Sequence, residues 1–421
     1  MERSPLAAAR ARKNSALRSS ARRSRVLIGI GVASLALAAT ACSSSSSSSA
    51  PASASNSSTA SAASAASPAS VASGTGGLVY FMIPDTVPSR YIQQDGPDFQ
   101  AALEKLDPGV TVKLVNANGN ESTQESQARA AIAAGAKALV VVAADPPLSG
   151  GLLQIAAQAK VPVIGYENVP IDGPMYAQVE FNPLEAGQLQ GKYFAQEVTS
   201  GALGATPVTL ARLYGNQGDV YDTQMLAGQN QYLTPLINAG KVKVVCSAYT
   251  PNWAEASAVT EMQQCLSSAG NKVRAVLGFY DGITQGAIVA ISNAHLKAGT
   301  AAGDVTVFGG QNPTTPGLQY LIAGQQQDDV IKPFLLEAQA AAQLANAAVR
   351  GEKPPASLIT QSVNDGSDNV PTAFLNEDYI TAGASVGTLI NKYVVQTGTD
   401  SWSQICTSPI TSSSICKSYQ P

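Results

Sequence analysis

The fold is decided by the stretch Tyr176–Gly215, YAQVEFNPLEAGQLQGKYFAQEVTSGALGATPVTLARLYG. Two runs of strand length, YAQVEF and PVTLARLYG, flank a segment of helical period that starts after Asn182, and asparagine is a preferred residue for capping a helix N-terminus. Most strand-length runs in this chain are apolar at consecutive positions, which is typical of strands buried on both faces of a parallel sheet. The stretch therefore predicts a strand, a helix and a second strand in succession, the repeating unit of a doubly wound α/β fold.

The same alternation extends in both directions from this stretch. Further strands are predicted at LVYFMIP (78–84), VTVKLVNA (110–117), ALVVVAA (138–144), VPVIGYE (161–167), VKVVCSAYT (242–250), RAVLGFYD (274–281), DVTVFGGQN (304–312) and DDVIKP (328–333). Helical segments follow Asn120 and Asp281 and stop at glycines. Repeated strand–helix units predict an α/β protein with doubly wound parallel sheets, and about 340 residues with ten strands favour two domains.

The N-terminal region indicates export and anchoring. The apolar segment VLIGIGVASLALAA (26–39) follows several arginines and has the length of a secretion signal, too short to span a bilayer stably. Ala39, Thr40 and Ala41 before Cys42 resemble a bacterial lipobox. We therefore predict a lipoprotein signal peptide at 1–41, lipidation of Cys42, and a disordered Ser/Ala-rich tether at 42–77, which places the body at the outer face of the cell membrane. An uncleaved transmembrane anchor is the alternative.

Charge and cysteine content limit the function. Eight of the 26 basic residues and one of the 29 acidic residues precede Cys42, so the mature chain carries a net charge of about −10, which argues against nucleic-acid binding. The four remaining cysteines are even in number, as expected for an oxidising compartment. Three pairings are possible; sequence proximity favours Cys246 with Cys265 and Cys406 with Cys416. Metal binding is disfavoured, because there is no CxxC and His295 is the only histidine.

The strand exits are rich in polar and aromatic residues. They read PDTVPSRY, NANGN, YEN, YGNQGDVYD, YTPNW, FYDG and GGQN. Turn chemistry explains the Asn, Asp and Gly residues but not the aromatic ones. Since ligands of open α/β sheets bind beyond the carboxyl ends of the strands, these exits are the predicted binding region.

Five segments resemble a known family in the same order along the chain. They are NANGNESTQESQ (116–127), QVEFNPLEAGQLQGKY (178–193), MLAGQNQYLTPLINAGKVKVV (225–245), GFYDGITQGAI (278–288) and FGGQN with VIKP (308–312 and 330–333). The chain resembles periplasmic sugar-binding proteins of the ribose and xylose class, most nearly the xylose-binding branch, from about Leu78 to Tyr393. The resemblance implies two Rossmann-like lobes joined by three crossings. It places 78–182 and 333–357 in the first lobe, 183–332 and 358–396 in the second, and leaves a C-terminal tail at 397–421.

The resemblance also implies the site. Aromatic rings would stack on the sugar, and polar groups would satisfy its hydroxyls. The candidate residues carried over or substituted at family positions are Arg90, Tyr91, Glu167, Asn168, Asp219, Trp253, Tyr280, Asp281, Asn312 and Lys332. Asp281 has an alternative as a helix cap and Lys332 as one half of an ion pair across the hinge.

Departures from the family pattern bear on the ligand. Glu167 and Asn168 stand where the xylose branch has Asp-Arg, Asn312 replaces an aspartate, and Tyr280 replaces an asparagine. The expected ligand is a sugar-like polyol other than xylose. The expected function is that of a monomeric, lipid-anchored binding protein, without cofactor, that serves an ABC permease and its ATPase.

Three other functions would each require features that can be sought in the sequence. An enzyme is disfavoured, because there is no GxSxG elbow, no P-loop and no metal-ligand cluster. A DNA-binding regulator would need a helix-turn-helix, whereas the residues before Leu78 have the composition of a signal and linker. A sensor that passes its closure to a membrane receptor remains open as the alternative to an importer component.

Overall fold

The computed structural model describes residues 76–87 and 89–419. The predicted signal peptide, Cys42 and nearly all of the predicted tether lie outside the described residues. Thirteen strands are described: β1 (Gly77–Ile83), β2 (Val110–Asn116), β3 (Ala136–Val141), β4 (Val163–Tyr166), β5 (Ala177–Phe181), β6 (Val208–Tyr214), β7 (Val242–Tyr249), β8 (Ala275–Gly278), β9 (Thr306–Gly309), β10 (Asp328–Ile331), β11 (Gln361–Asn364), β12 (Asn369–Leu375) and β13 (Asp378–Thr381).

Twelve α-helices accompany the strands in the described part of the chain. They are α1 (Gly96–Leu106), α2 (Glu121–Ala133), α3 (Gly150–Gln158), α4 (Pro183–Ser200), α5 (Val220–Asn238), α6 (Glu255–Ser268), α7 (Asp281–Asn293), α8 (Thr315–Ile322), α9 (Phe334–Val349), α10 (Val386–Ile390), α11 (Trp402–Ile405) and α12 (Ser414–Tyr419). Asn182 caps α4 as predicted, its side chain accepting from the Glu185 N–H, and Asn120 caps α2 by accepting from Thr123. Each of the ten strands predicted up to Pro333 overlaps an observed strand.

The strands form two sheets and a short ribbon. The first sheet has the order β11-β12-β5-β4-β3-β1-β2, and its pairs are parallel except for β11 with β12. The second has the order β7-β6-β8-β9 and is parallel. Strands β10 and β13 pair antiparallel with each other. We call the first sheet with α1–α3 and α9 the first lobe, and the second sheet with α4–α8 the second lobe.

Helices cover both faces of each sheet, which confirms the predicted doubly wound architecture. In the first lobe, Phe81 of β1 packs with the alanines of α9, whereas its neighbour Met82 packs with Leu152 and Leu153 of α3 on the opposite face. In the second lobe, Leu210 of β6 packs beneath α4 and α5, while the next residue, Ala211, packs beneath α6 and α7. Consecutive strand residues are therefore both buried, which explains the uninterrupted apolar runs.

The chain passes between the lobes three times. It crosses after β5 at Asn182, after β10 at Lys332 and Pro333, and between β12 and β13 at residues 376–377.

The prediction that residues 358–396 belong to the second lobe is wrong for β11 and β12, which occupy residues 361–375. Strands β11 and β12 extend the first sheet, with Ala373 of β12 opposite Val179 of β5. Pairing with β12 supplies a partner for the hydrogen-bonding edge of β5, which would otherwise be exposed.

Both predicted disulfides are present. Cys246 on β7 is bonded to Cys265 on α6, and Cys406 to Cys416 within the C-terminal segment. That segment packs on α8, where the Gln319 side chain donates to the Ile405 carbonyl at 2.9 Å. It also contacts the first lobe, because the Gln94 side chain donates to the carbonyl of Thr399 at 2.8 Å.

Helices α4 and α5 pack unusually close together because of two glycines. A Cβ placed on Gly187 would lie 2.0 Å from the Met225 carbonyl oxygen, and one placed on Gly228 would lie 2.2 Å from the Leu184 carbonyl oxygen. Real Cβ atoms do not approach oxygens so closely, so no larger residue fits at this contact. The contact fixes α4, the helix that follows the first crossing, on the second lobe.

Candidate functional site

A cavity lies between the lobes, at the carboxyl ends of the strands of both sheets. Its volume is about 80 Å³, counted as the space that the centre of a water molecule can occupy. One water needs roughly 10–15 Å³ of such space, so the cavity has room for several. The first lobe contributes Pro84, Asp85, Val87, Tyr91, Gly119, Ala143, Ala144, Glu167 and Asn168; the second contributes Asn216, Asp219, Tyr221, Asn252, Trp253, Tyr280, Gln311 and Asn312. We call this space the cleft cavity. It has the position expected for the ligand site of an open α/β sheet.

Trp253 is held in the cleft cavity by a hydrogen bond and by a glycine. Its indole Nε1 donates to Asp219 Oδ2 at 2.9 Å, and Asp219 Oδ1 accepts from Asn216 Nδ2 at 3.3 Å. The ring lies over Gly215, where an added Cβ would be only 2.1 Å from the indole Cη2. The orientation of the indole therefore depends on both the acceptor and the missing side chain.

Two tyrosines meet the tryptophan edge to face. The ring centroids of Tyr221 and Tyr280 lie 6.4 and 6.3 Å from that of Trp253, with interplanar angles of 73° and 81°. The Tyr221 hydroxyl donates to Gln311 Oε1 at 2.6 Å, which fixes its ring. These three rings form an aromatic wall on the second lobe.

Four non-glycine residues of the cleft cavity have left-handed backbone conformations. Glu167, Asn252, Trp253 and Asn312 have φ values of 54°, 57°, 56° and 61°. Left-handed non-glycine residues cost about 1–3 kcal/mol when the conformation is sparsely populated, and they concentrate at ligand sites. The strained positions come from both lobes, as expected if the loops are shaped to present side chains to a ligand.

Glu167 joins the cleft cavity to the hinge through a buried ion pair. Lys332 at the second crossing places its Nζ 2.7 Å from Glu167 Oε1, and its side chain is fully buried. Burial raises the pKa of Glu167, but the charges of Lys332 and Arg90 outweigh this effect and leave the pKa below its ordinary value. Lys332 thus forms the ion pair given as the alternative to a sugar contact.

Arg90 is buried behind the cleft cavity and does not line it. Its Nε and Nη2 donate to the two oxygens of Asp95 at 2.7 and 2.8 Å, and Nη2 also pairs with Glu337. Its Nη1 reaches across to Asn312 Oδ1 at 3.3 Å and lies 3.4 Å from Glu167 Oε1. The guanidinium therefore binds first-lobe carboxylates and a second-lobe amide, so it links the lobes.

Asp281 does not line the cleft cavity either. It is fully buried at the start of α7, where its Oδ2 accepts from the Thr314 N–H at 2.8 Å and from the Thr314 hydroxyl at 3.0 Å. Its Oδ1 accepts from Gln326 Nε2 at 3.3 Å. Burial raises the pKa of Asp281 to about 6. The side chain ties α7 to the loop before α8 and does not cap its own helix.

The structure brings seven of the ten predicted site residues to the cleft cavity. They are Tyr91, Glu167, Asn168, Asp219, Trp253, Tyr280 and Asn312. Sequence reasoning missed Asp85, Asn216, Tyr221, Asn252 and Gln311 as individual residues. All five stand in the polar and aromatic strand exits, so that pattern was the signal that could have found them.

A second and larger cavity lies on the hinge side of Glu167. About 350 Å³ of it is open to the centres of water-sized spheres, and Glu167, Asn168 and Tyr221 line both cavities. Glu180 of β5 lines it too and accepts from Gln178 Nε2 at 2.7 Å. Burial, with a smaller contribution from the charge of Glu167, raises the pKa of Glu180 to about 8.

Two kinds of feature are absent from residues 76–87 and 89–419. No helix there is long and apolar enough to cross a membrane. No group of three or more His, Cys, Asp or Glu residues there is arranged to hold a metal ion.

Comparison with known proteins places these features in a family. A family profile described as periplasmic binding protein domain matches residues 79–353. The D-xylose-binding periplasmic protein of Escherichia coli (strain K12) is 30% identical over 286 residues, which cover 67% of this chain and 80% of that protein. The multiple sugar-binding periplasmic receptor ChvE of Rhizobium radiobacter is 26% identical, over 71% of this chain and 85% of that protein.

Solved structures show the same fold. An ABC transporter solute-binding protein from Clostridium phytofermentans, solved with bound β-D-glucose, superposes with a TM-score of 0.69 at 23% identity and covers 78% of this chain and 99% of its own. The profile match, the relatives and the two-lobed architecture agree with the resemblance found in the sequence. The chain belongs to the periplasmic binding protein family and has its type I fold.

Proposed function

We propose that the chain binds a monosaccharide or a closely related polyol in the cleft cavity. One observation carries the proposal: the cavity is lined from both lobes, with an aromatic wall beside carboxylates and amides. Aromatic faces stack on the apolar faces of a sugar ring, and the polar groups satisfy hydroxyls that would otherwise be buried without partners at about 1–3 kcal/mol each. Relatives whose names state binding of xylose or several sugars support this ligand class.

The ligand is proposed to differ from xylose. Glu167 is paired with Lys332 and Arg90, and Asn168 donates its amide to the Ala143 carbonyl at 3.0 Å. These two positions, which carry Asp-Arg in the xylose branch, thus offer no guanidinium to a ligand. The substitutions at Tyr280 and Asn312 alter the opposite wall of the same cavity.

Binding would work through lobe closure. A sugar that contacts both lobes binds the closed arrangement better than an open one, and this difference in affinity shifts the population toward the closed form. Closure is the state that a membrane partner would recognise. We propose an ABC permease and ATPase as that partner, in keeping with the solute-binding proteins of similar fold.

The principal test is a ligand screen. Mature protein should show a sugar-dependent rise in melting temperature with at least one pentose, hexose or polyol. Trp253→Ala should abolish the rise, whereas Tyr249→Ala, which removes a partly exposed aromatic outside the cleft cavity, should keep it. A broad carbohydrate panel that produces no shift would contradict the proposed function.

Lipid anchoring through Cys42 is a separate proposal that rests on the lipobox-like sequence. A tethered binder stays near its membrane partner at high effective concentration. Cys42→Ala should release the protein from cells into the medium, while a serine replaced in the tether, Ser45→Ala, should leave it cell-associated. Retention of the Cys42→Ala variant on membranes would contradict lipidation.

A sensing role is the second candidate, because one relative is named a receptor. In that case closure would be passed to a membrane receptor without transport. Deleting the gene should abolish uptake of the identified radiolabelled ligand if the protein serves an importer. Unchanged uptake, together with lost transcriptional response to the ligand, would favour the sensor.

A further inference from the structure

The cleft cavity is acidic. Among its lining residues three are carboxylates, Asp85, Glu167 and Asp219, and none is lysine, arginine or histidine. The nearest cations, Arg90 and Lys332, are buried against carboxylates of the protein itself. The charge of Glu167 is therefore balanced by Lys332 and Arg90, whereas Asp85 and Asp219 present negative charge to a ligand.

Two of these carboxylates come from opposite lobes and lack a cationic partner among the described residues. Asp85 follows β1 and accepts the Val87 N–H at 2.6 Å, while Asp219 precedes α5 and accepts from Trp253 and Asn216. Burial raises the pKa of both carboxyls. The two carboxylates thus face one cavity from opposite lobes.

The third carboxylate is bound to groups of the protein itself. Glu167 is only 6% exposed and lines the cavity. Its Oε1 faces Lys332, and its carboxylate is also hydrogen-bonded to the buried carboxyl of Glu337. Asp85 and Asp219 are therefore the carboxylates that remain for a charged group of the ligand.

The aromatic wall suits the same kind of ligand group. Trp253 and Tyr280 meet nearly at right angles and line the cavity with Asp219, while Lys332 Nζ already lies 4.3 Å from the ring centroid of Tyr221. Aromatic faces attract cations through the ring quadrupole, and tryptophan does so most strongly. This part of the cavity offers rings and a carboxylate together, which is the chemistry that binds an ammonium group.

From this arrangement, and on the basis of the proposed sugar-binding function, we propose that the ligand is an amino sugar whose ammonium group lies among the carboxylates of the two lobes. The ammonium would form ion pairs with Asp219 of the second lobe and Asp85 of the first, and would so favour closure. A sugar acid or sugar phosphate would bring further negative charge beside these carboxylates and is expected not to bind. A neutral sugar fits the ring site but forms no ion pair with either carboxylate.

The test compares matched ligands by titration calorimetry at pH 7. The probes are glucose, galactose and mannose, the 2-amino-2-deoxy derivative of each, 3- and 6-amino glucose, the N-acetylated 2-amino sugars and the uronic acids. At least one free amino sugar should bind at least tenfold more tightly than its neutral parent and its N-acetyl form, and the uronic acids should not bind.

The outcomes separate this inference from the function on which it rests. Binding of neutral sugars without any tighter amino counterpart would overturn the inference and leave the sugar-binding function standing. Failure of every carbohydrate of the broad panel would overturn both. Asp219→Asn should reduce the ratio of amino-sugar to neutral-sugar affinity at least tenfold, whereas Asp368→Asn, at an exposed carboxylate away from the cavity, should not change the ratio.

Discussion

Replacing Glu180 with glutamine should stabilise the protein at neutral and alkaline pH. Glu180 is buried, and its pKa rises from an ordinary 4.5 to about 8. The folded state therefore binds a proton more tightly than the unfolded state, so the stability that Glu180 contributes is greatest below about pH 4.5 and is lost as the pH rises to about 8. At about 1.36 kcal/mol per pH unit, the loss reaches about 3 kcal/mol at pH 7 and about 5 kcal/mol above pH 9.

Glutamine at position 180 has no proton to lose and can keep the hydrogen bond to Gln178, so the loss of stability at high pH should disappear. Urea unfolding followed by circular dichroism at pH 5, 7 and 9 measures the free energy of unfolding directly. Glu180→Gln should gain about 3 kcal/mol over the native protein at pH 7 and little at pH 5. Glu104→Gln, at an exposed position on α1, is the matched control and should change neither value. A Glu180→Gln gain of the same size at all three pH values would refute the argument, because it would reflect packing and not proton release.

Three further variants test other parts of the structure. Gly228→Ala should destabilise the second lobe by several kcal/mol in urea unfolding, because its Cβ would lie 2.2 Å from a carbonyl oxygen of α4; stability within about 0.5 kcal/mol of native would contradict that contact. Gly215→Ala should displace the Trp253 ring and weaken ligand binding at least tenfold while the far-ultraviolet spectrum stays native; unchanged affinity would show that the indole position is unimportant. Lys332→Met should cost about 3–5 kcal/mol by leaving Glu167 without its nearest cation, and adding Glu167→Gln should recover much of that loss; a double variant as unstable as the single one would count against the ion pair.

Much of the fold was predictable because strand burial leaves a direct trace in the sequence. Each parallel strand is covered on both faces, so residues such as Phe81 and Met82 are both apolar although they point to opposite sides. The sequence did not reveal the place of β11 and β12. Their residues alternate like an ordinary hairpin, and only the free edge of β5 determines which sheet they join.

The site was predictable by region but less so by residue. Strand exits located the cleft, since the topology brings all of them together. Which exit residues face the ligand depends on long-range partners that no local pattern shows. Arg90 lies away from the cavity because Asp95 and Glu337, the latter 247 positions later in the chain, bind its guanidinium. Tyr221 lies in the cavity because Gln311, 90 positions later, fixes its hydroxyl.

The ribbon of β10 and β13 has a mechanical consequence. Two of the three chain crossings emerge from strands that are hydrogen-bonded to each other over four residue pairs, from Asp328 with Thr381 to Ile331 with Asp378. These two crossings are therefore coupled, and we expect them to bend together when the lobes rotate. A pair of fluorophores, one on each lobe, would report that shared motion.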